Sequence, residues 1–387
     1  MTPRILFVDH AGVLGGAELY LLDVARAYRS TSTVCLFEEG PFLEALRDEN
    51  IPAEVLPASD ALLHVQKGSS AWRACSAVPE ILSMAAQLAR TARGYDLLFA
   101  NSQKALIVAG LASRWARTPL LWNLHDMLTA DHFSAFNRWV APRWANWCAD
   151  RVIVNSEATR EAFVESGGNR RTTGLVYNGI DAAPFETVSS DATQATRREL
   201  GLDSDVPLLG IFSRLARWKG QHVLLRALPE IPDAHLLLVG EALFAKDEAY
   251  RRELRAFCDD LDIEERVHFL GFRRDVPRLM TATDVLVHTS TAPEPFGRVL
   301  VEGMLARTPV VATRAGGPVE IIEDGTTGRL VPPGDPRALA QTLRALLDDP
   351  HAQADMVDEA YDRARTRFSV DAMLEAVDEQ LRQVISS

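Results

Sequence analysis

Twice along its 387 residues the chain alternates short apolar runs, bounded by turn residues, with longer amphipathic stretches. A run too short for a helix and without polar alternation reads as a strand buried on both faces, and such strands belong to parallel sheets covered by helices. The first series is Ile5–Asp9, Thr33–Phe37, Ala53–Leu56, Leu97–Ala100, Leu120–Trp122 and Arg151–Val154, with helices predicted over Glu18–Tyr28 and Pro79–Thr91. The second is Pro207–Phe212, His235–Val239, Val267–Leu270, Val285–His288, Pro309–Ala312 and Gly328–Val331, followed by helical patterns at Pro336–Leu347 and His351–Arg367. Between the series Asn178–Pro184 is turn-rich, and Thr187–Thr196 shows no strand signature. The fold class expected is α/β in two domains: residues 1–184, a linker over 185–205, and residues 206–368, with a last amphipathic segment within 369–387 crossing back onto the first domain.

Lys plus Arg number 41 against 53 Asp plus Glu, a net charge of −12, which excludes nucleic acid as a partner for the chain as a whole. The charge is uneven: between Ala61 and Arg151 ten basic residues stand against five acids. That patch faces anionic lipid or an anionic substrate, or is simply a solvated surface. Trp115, Trp122, Trp139, Trp144 and Trp147, interleaved with Arg138 and Arg143, fit an interfacial surface or aromatic groove, or else a helix packed on the sheet. Cys35, Cys75, Cys148 and Cys258 lie far apart without CxxC spacing, so neither a metal site nor a disulfide framework is expected. The apolar N-terminal stretch is too short for a signal sequence and no run approaches the ~20 residues of a spanning helix. The expected location is cytoplasmic, with membrane contact restricted to a peripheral one at the inner face through the N-terminal domain.

Ligands of open parallel sheets bind beyond the carboxyl ends of strands. Three loops at such positions carry unusual residues. The first holds Gly12, Gly15 and Gly16 and runs into a helix, which suits close approach of a phosphate to backbone N–H groups. The dinucleotide spacing GxGxxG is absent, although Glu38 stands near the place of a ribose-binding acid, so a nicotinamide enzyme and a plain tight turn stay open here. The second loop brings Arg214 and Lys219 together, a bidentate fork and a point charge fit for a diphosphate or, taken alone, for a solvated turn. The third, His288 to Glu302, leaves a strand, passes Glu294 and enters a helix near Gly297, whose N–H groups form a second anion site. Glu294 and Glu302, eight positions apart, suit the two ends of a sugar nucleotide.

The stretch Glu294-Pro-Phe-Gly-Arg-Val-Leu-Val-Glu302 resembles the E-x7-E motif of the family-four, group-one retaining glycosyltransferases of GT-B fold. Pro309–Glu320 and Asp324–Asp335 are similar to that family too, as are Gly15-Gly16-Ala-Glu18, His125-Asp126, Asn178–Asp181, Lys219-Gly220 and Asp284 in their order. The resemblance implies two Rossmann-like domains facing each other across a cleft. It also implies transfer of a hexosyl group from a nucleotide-diphosphate sugar to a saccharide, lipid-linked or small-molecule acceptor, with retention and with neither metal nor cofactor. UDP is expected ahead of GDP. Carried over residue by residue, Arg214 and Lys219 hold the departing diphosphate, Glu294 meets hexose hydroxyls, and His125 faces the reacting centre. Donor contacts fall to Gly15, Gly16, Gly271, Phe272, Arg273, Phe296, Gly297, Arg298, Val299, Leu300 and Glu302. Acceptor contacts fall to His125, Asp126 and Asn101.

Two departures stand out. Arg307 occupies a position usually Gly, at a cost on the order of 1 kcal/mol if left-handed, and Gly303 one usually Ala. His10, His132, His222 and His268 show no ligand spacing and are expected to be ordinary structural or surface residues. Competing functions are a nucleotide-sugar epimerase or phosphorylase of the same fold, and a catalytically silent sugar-nucleotide-binding partner subunit.

Overall fold

The computed structural model describes residues 2–59, 78–242 and 245–386. Lys67, Arg73 and Cys75, counted above, lie outside the described residues. The chain forms two units, Met1–Gly179 with Val370–Ser387, and Ile180–Ser369.

In unit one seven strands, β1 (Ile5–Asp9), β2 (Ser32–Leu36), β3 (Ala53–Val55), β4 (Leu97–Ala100), β5 (Leu120–Leu124), β6 (Arg151–Val154) and β7 (Thr173–Leu175), form one parallel sheet in the order β3-β2-β1-β4-β5-β6-β7. Successive side chains alternate across it. Leu6, Val8, Leu98, Ala100 and Trp122 enter one core with the helices Val78–Ala92 and Gln103–Ala116, while Ile5, Phe7, Leu97, Phe99 and Leu121 enter the other. Ser102, Ser134 and Ser156 each cap the helix that follows them by accepting from a backbone N–H three residues on.

The helix Val370–Ile385 completes the second of these cores with Met373, Val377, Leu381 and Val384. Polar ties fix its register: Arg151 Nε donates to Gln380 Oε1 at 2.8 Å, and the Tyr28 hydroxyl donates to Asp378. β7 escapes the sequence pattern because it is a three-residue strand, Thr-Gly-Leu, whose central glycine leaves space for Gln380.

Unit two repeats the theme with β8 (Leu208–Phe212), β9 (His235–Val239), β10 (Val267–Gly271), β11 (Val285–His288), β12 (Val310–Thr313) and β13 (Arg329–Val331), all parallel, in the order β10-β9-β8-β11-β12-β13. The stretch 185–205, expected to be a linker, instead belongs to this unit and includes the helix Ser190–Glu199. Its anchor is charged, which is why an apolar pattern misses it. Arg197, 8% exposed, donates to the carbonyls of Asp203 and Val206 and to Asp284 Oδ2 at 2.6 Å, which in turn accepts the Leu208 N–H.

Both departures noted above have a packing reason. Arg307 is left-handed (φ 55°), but its guanidinium bonds Asp358 and lies 3.9 Å from the Tyr361 ring centroid. A Cβ on Gly303 would approach the side chains of Leu286 and Val310 to 2.8 and 3.0 Å, so an alanine here requires the Leu286 side chain to shift. The tryptophans divide: Trp122 is fully buried, whereas Trp115, Trp139 and Trp147 are 45%, 56% and 48% exposed. Among the described residues no helix is long and apolar enough to cross a membrane.

Arg197→Ala should destabilise unit two by about 2–3 kcal/mol, since carbonyls and a carboxylate lose a charged donor; scanning calorimetry checks it. His235 and His268 are stacked and hydrogen-bonded at 3.0 Å on adjacent strands, and burial holds both imidazoles below their ordinary value of 6.5. The unfolded chain therefore takes up protons first as pH falls below that value, and stability drops in that window. His235→Gln should flatten this acid limb in a pH series of melting temperatures.

Candidate active site

In each sheet the strand order reverses between two neighbours, β1 and β4 in unit one and β8 and β11 in unit two. Loops leaving such a pair diverge to opposite faces and open a crevice at the carboxyl ends. The residues singled out in the sequence follow these strands.

In unit one Asp9 ends β1, Asn101 follows β4, and Asn123 and His125 lie at the end of adjacent β5. Asn101 Nδ2 donates to Asp9 Oδ2 at 2.7 Å and to the Ala17 carbonyl, and its Oδ1 lies 3.0 Å from Asn123 Nδ2 and 2.9 Å from His125 Nε2. His125 also stands edge-on to the Tyr20 ring. Asn101 is 1% exposed and its amide is engaged on both sides. Its side chain thus orders its neighbours instead of meeting an acceptor, contrary to the role expected for it, while Asp126 is exposed.

Burial drives the Asp9 carboxyl upward, yet hydrogen bonds from His10 and Asn101 and the His10 charge hold it below its ordinary value. Glu18 goes the other way, raised to about 7 by burial and by the Asp9 charge. Its Oε2 accepts the Gly15 N–H at 2.9 Å, reaching back to the N-cap backbone at the start of the helix Gly16–Ala27, with Gly16 exposed at the surface. His10, taken from the sequence as an ordinary structural or surface residue, joins this cluster through Asp9 and Ser102 Oγ at 2.9 Å.

In unit two the turn after β8 is laced to the loop after β11. Gln221, fully buried, donates to the Arg214 carbonyl and Ser213 Oγ, the Thr291 N–H donates to the Trp218 carbonyl at 2.7 Å, and Thr289 Oγ1 donates to the Lys219 carbonyl. Gly220 must be glycine: its φ is +70° and a Cβ would collide with the Thr289 carbonyl. Trp218 lies beneath both cations, its ring centroid 4.3 Å from Lys219 Nζ and 5.6 Å from Arg214 Cζ.

Lys219 Nζ then reaches Glu294 Oε2 at 2.7 Å, with both side chains nearly buried (14% and 12% exposed). Burial pushes the Glu294 carboxyl up, but the Lys219 charge and the His288 hydrogen bond overcome it and hold Glu294 far below the usual range. Gly316 and Gly317 pack against the backbone of Glu294 and Phe296, too close for any side chain. Gly297 (φ 103°) turns the chain into the helix Arg298–Leu305. Glu302, one turn on from Arg298 with a 3.9 Å separation, is raised by desolvation.

Two expectations change. The Leu300 N–H, expected to reach the donor, donates to the Gly297 carbonyl at 2.9 Å and is already engaged. The Phe296 ring is turned inward, edge-on to Phe368, which leaves the contact expected of its backbone amide untouched. Arg273 is locked in a two-pronged bond to Asp275, leaving 64%-exposed Phe272 beside Gly271 as the open group at the end of β10. The motif reading also missed His288 and Ser290, both buried against Glu294. Their place six and four residues before proline-flanked Glu294 gave no chemical signal of its own.

Known proteins fit this geometry. The model for glycosyl transferases group 1 matches residues 192–363, and a glycosyl transferase 4-like domain matches residues 15–179. A D-inositol 3-phosphate glycosyltransferase of Corynebacterium urealyticum is 32% identical over 294 residues, covering 71% of this chain and 68% of that one. Its counterpart from Corynebacterium kroppenstedtii is 36% identical over 229 residues, 57% of this chain and 50% of that protein, so the chain spans about half the length of this relative. The crystal structure of Anabaena Alr3699/HepE in complex with UDP and glucose superposes with a TM-score of 0.89 at 41% identity, over 98% of this chain and 99% of that one. Two Rossmann-like α/β units with these neighbours make the fold GT-B, and the protein belongs to the group-one glycosyltransferases.

Proposed function

We propose that the protein moves a hexosyl group from a nucleotide-diphosphate sugar, UDP-linked ahead of GDP-linked, to a saccharide, lipid-linked or small-molecule acceptor, with retention and without a required metal. The observation that carries this is the buried Lys219–Glu294 pair at the mouth of the helix Arg298–Leu305, beside Arg214. Support comes from the UDP and glucose bound to HepE, a protein alike over nearly the whole chain.

In this mechanism the bond from the anomeric carbon to the diphosphate breaks and negative charge grows on the leaving oxygen. Arg214 and Lys219 stabilise that charge more in the transition state than in the ground state, which is what lowers the barrier. Glu294, ionised and already paired, accepts from hexose hydroxyls and is not a nucleophile. The acceptor oxygen bonds to the same face of the sugar and its proton passes to the leaving phosphate oxygen. Glu302 holds the ribose, Phe272 borders the base, and in unit one His125 serves the sugar and Asp126 the acceptor.

Incubation with UDP-glucose and GDP-mannose separates the alternatives. Slow release of free nucleotide supports a transferase, interconversion of the sugars supports an epimerase, and thermal shift without turnover supports a silent binder. Transfer to an added acceptor should persist in EDTA.

Lys219→Ala should lower turnover by roughly 100- to 1000-fold. Because it strands a buried carboxylate, it should also cost about 3 kcal/mol of stability. Adding Glu294→Gln should restore the melting temperature while activity stays lost; recovery of both together would remove Lys219 from the chemistry.

We also infer that unit one rests on an anionic lipid surface. The helix Ala135–Cys148 has no acidic residue and exposes Phe136, Trp139 and Trp147. Arg143 lies over Trp139 and Arg114 over Trp147, and Trp139, Val140, Arg143, Trp144 and Trp147 line a groove of about 270 Å³. Aromatic rings interleaved with arginines match a headgroup layer in polarity and charge. Sedimentation with phosphatidylglycerol vesicles should retain the protein, phosphatidylcholine vesicles should not, and a Trp139→Ser, Trp147→Ser double variant should stay in solution.

A further inference from the structure

Among the described residues, the side-chain donors to the Glu294 carboxylate all converge on one oxygen. Lys219 Nζ lies 2.7 Å, Ser290 Oγ 3.1 Å and His288 Nε2 3.3 Å from Oε2, and none of the described bonds reaches Oε1. The Ser290 hydroxyl is also 3.0 Å from His288 Nε2. A carboxylate only accepts, so the Ser290 O–H points to Oε2, and the hydroxyl oxygen is left to accept from the ring. His288 Nε2 therefore carries the hydrogen, shared between Ser290 and Glu294. The opposite ring nitrogen, Nδ1, is buried without a partner, so this clasp is the imidazole's whole polar environment.

The backbone around the clasp is fixed independently. Glu294 O accepts the Gly317 N–H at 2.8 Å, the Ser290 carbonyl accepts from Thr313 Oγ1 at 2.9 Å, and Ser290 and His288 are 1% and 4% exposed. Charge balance alone asks only for Lys219. Two further donors on that same oxygen do something else: they stop the carboxylate from rotating and leave Oε1 facing one direction.

We propose that Ser290 and His288 are positioning residues that lock Oε2 of Glu294 so that Oε1 is presented to a donor-sugar hydroxyl. The proposal rests on Glu294 being the hexose-binding acid. Its effect is specificity toward the sugar, since a hydroxyl held by an aimed carboxylate is distinguished from its absence or inversion, whereas a swivelling carboxylate tolerates both. The nucleotide half of the donor is untouched by it.

The test uses the full chain with UDP and UDP-glucose. Ser290→Ala and His288→Leu should each lose roughly 10- to 100-fold in kcat/KM for UDP-glucose, the size expected when a supporting hydrogen bond to a site group is removed. The UDP dissociation constant measured by calorimetry should not change. Ser290→Thr and His288→Gln, which keep a donor, should recover most of the loss. Across monodeoxy UDP-glucose analogues, wild type should reject the one lacking the hydroxyl that Glu294 holds, and Ser290→Ala should no longer discriminate. Unchanged kcat/KM, or UDP affinity falling in step with it, overturns the proposal. Nitrogen NMR of the wild-type imidazoles, assigned with His288→Gln, supplies a reading independent of how the variants fold: His288 should be the Nε2–H tautomer, and an Nδ1–H tautomer overturns the clasp. Glu294→Gln separates the two levels. If it keeps full turnover, the assignment of Glu294 itself fails; if it loses turnover while Ser290→Ala and His288→Leu do not, only the clasp fails.

Discussion

Parallel strands joined by crossover helices force the chain to choose a side of the sheet at every connection. Where the choice reverses, two loops part and nothing fills the gap between them. The rest of this molecule depends on that constraint being met twice. β1 and β4 frame the polar cluster of unit one, and β8 and β11 frame the Lys219–Glu294 pair of unit two. Each cluster is therefore built from residues far apart in sequence yet one strand apart in the sheet. Their precision comes from the ladder beneath them and from the hydrogen bonds that lace the loops together.

Three buried carboxylates show how differently one kind of group can be set. Glu294 lies beside the Lys219 ammonium and two further donors and stays ionised well below the usual range. Glu302, with Arg298 almost 4 Å away, is raised by desolvation. Glu18 has a neighbouring Asp9 charge to contend with and titrates near neutrality. Desolvation acts on all three, and only where a cation sits in direct contact, as Lys219 does on Glu294, is it overcome.

Much of the architecture was legible because buried parallel strands are nearly pure apolar runs. Ile5–Asp9, Leu97–Ala100, His235–Val239 and Val285–His288 read the same in sequence and in structure. What escaped had another source of stability. β7 is three residues around a glycine, and Ser190–Glu199 is a polar helix held by the Arg197 guanidinium. In the candidate site, motif spacing singled out Arg214, Lys219, Glu294 and Glu302, but it could not show that Lys219 faces Glu294, that the Leu300 amide is already bonded, or that Asp275 holds Arg273. Those outcomes are matters of rotamer and partner, and a one-dimensional pattern carries neither. His288 illustrates the limit: on a buried strand it reads as an interruption, and only the fold shows which oxygen it addresses.

The returning helix Val370–Ile385 has a consequence for biosynthesis. Met373, Val377, Leu381 and Val384 belong to a core whose other members, such as Ile5, Phe7 and Leu21, leave the ribosome first. Through the synthesis of the whole intervening unit, that apolar surface waits uncovered. Vectorial translation can thus finish the second lobe before the first is sealed, and the nascent chain carries an open hydrophobic groove until the helix Val370–Ile385 emerges to close it.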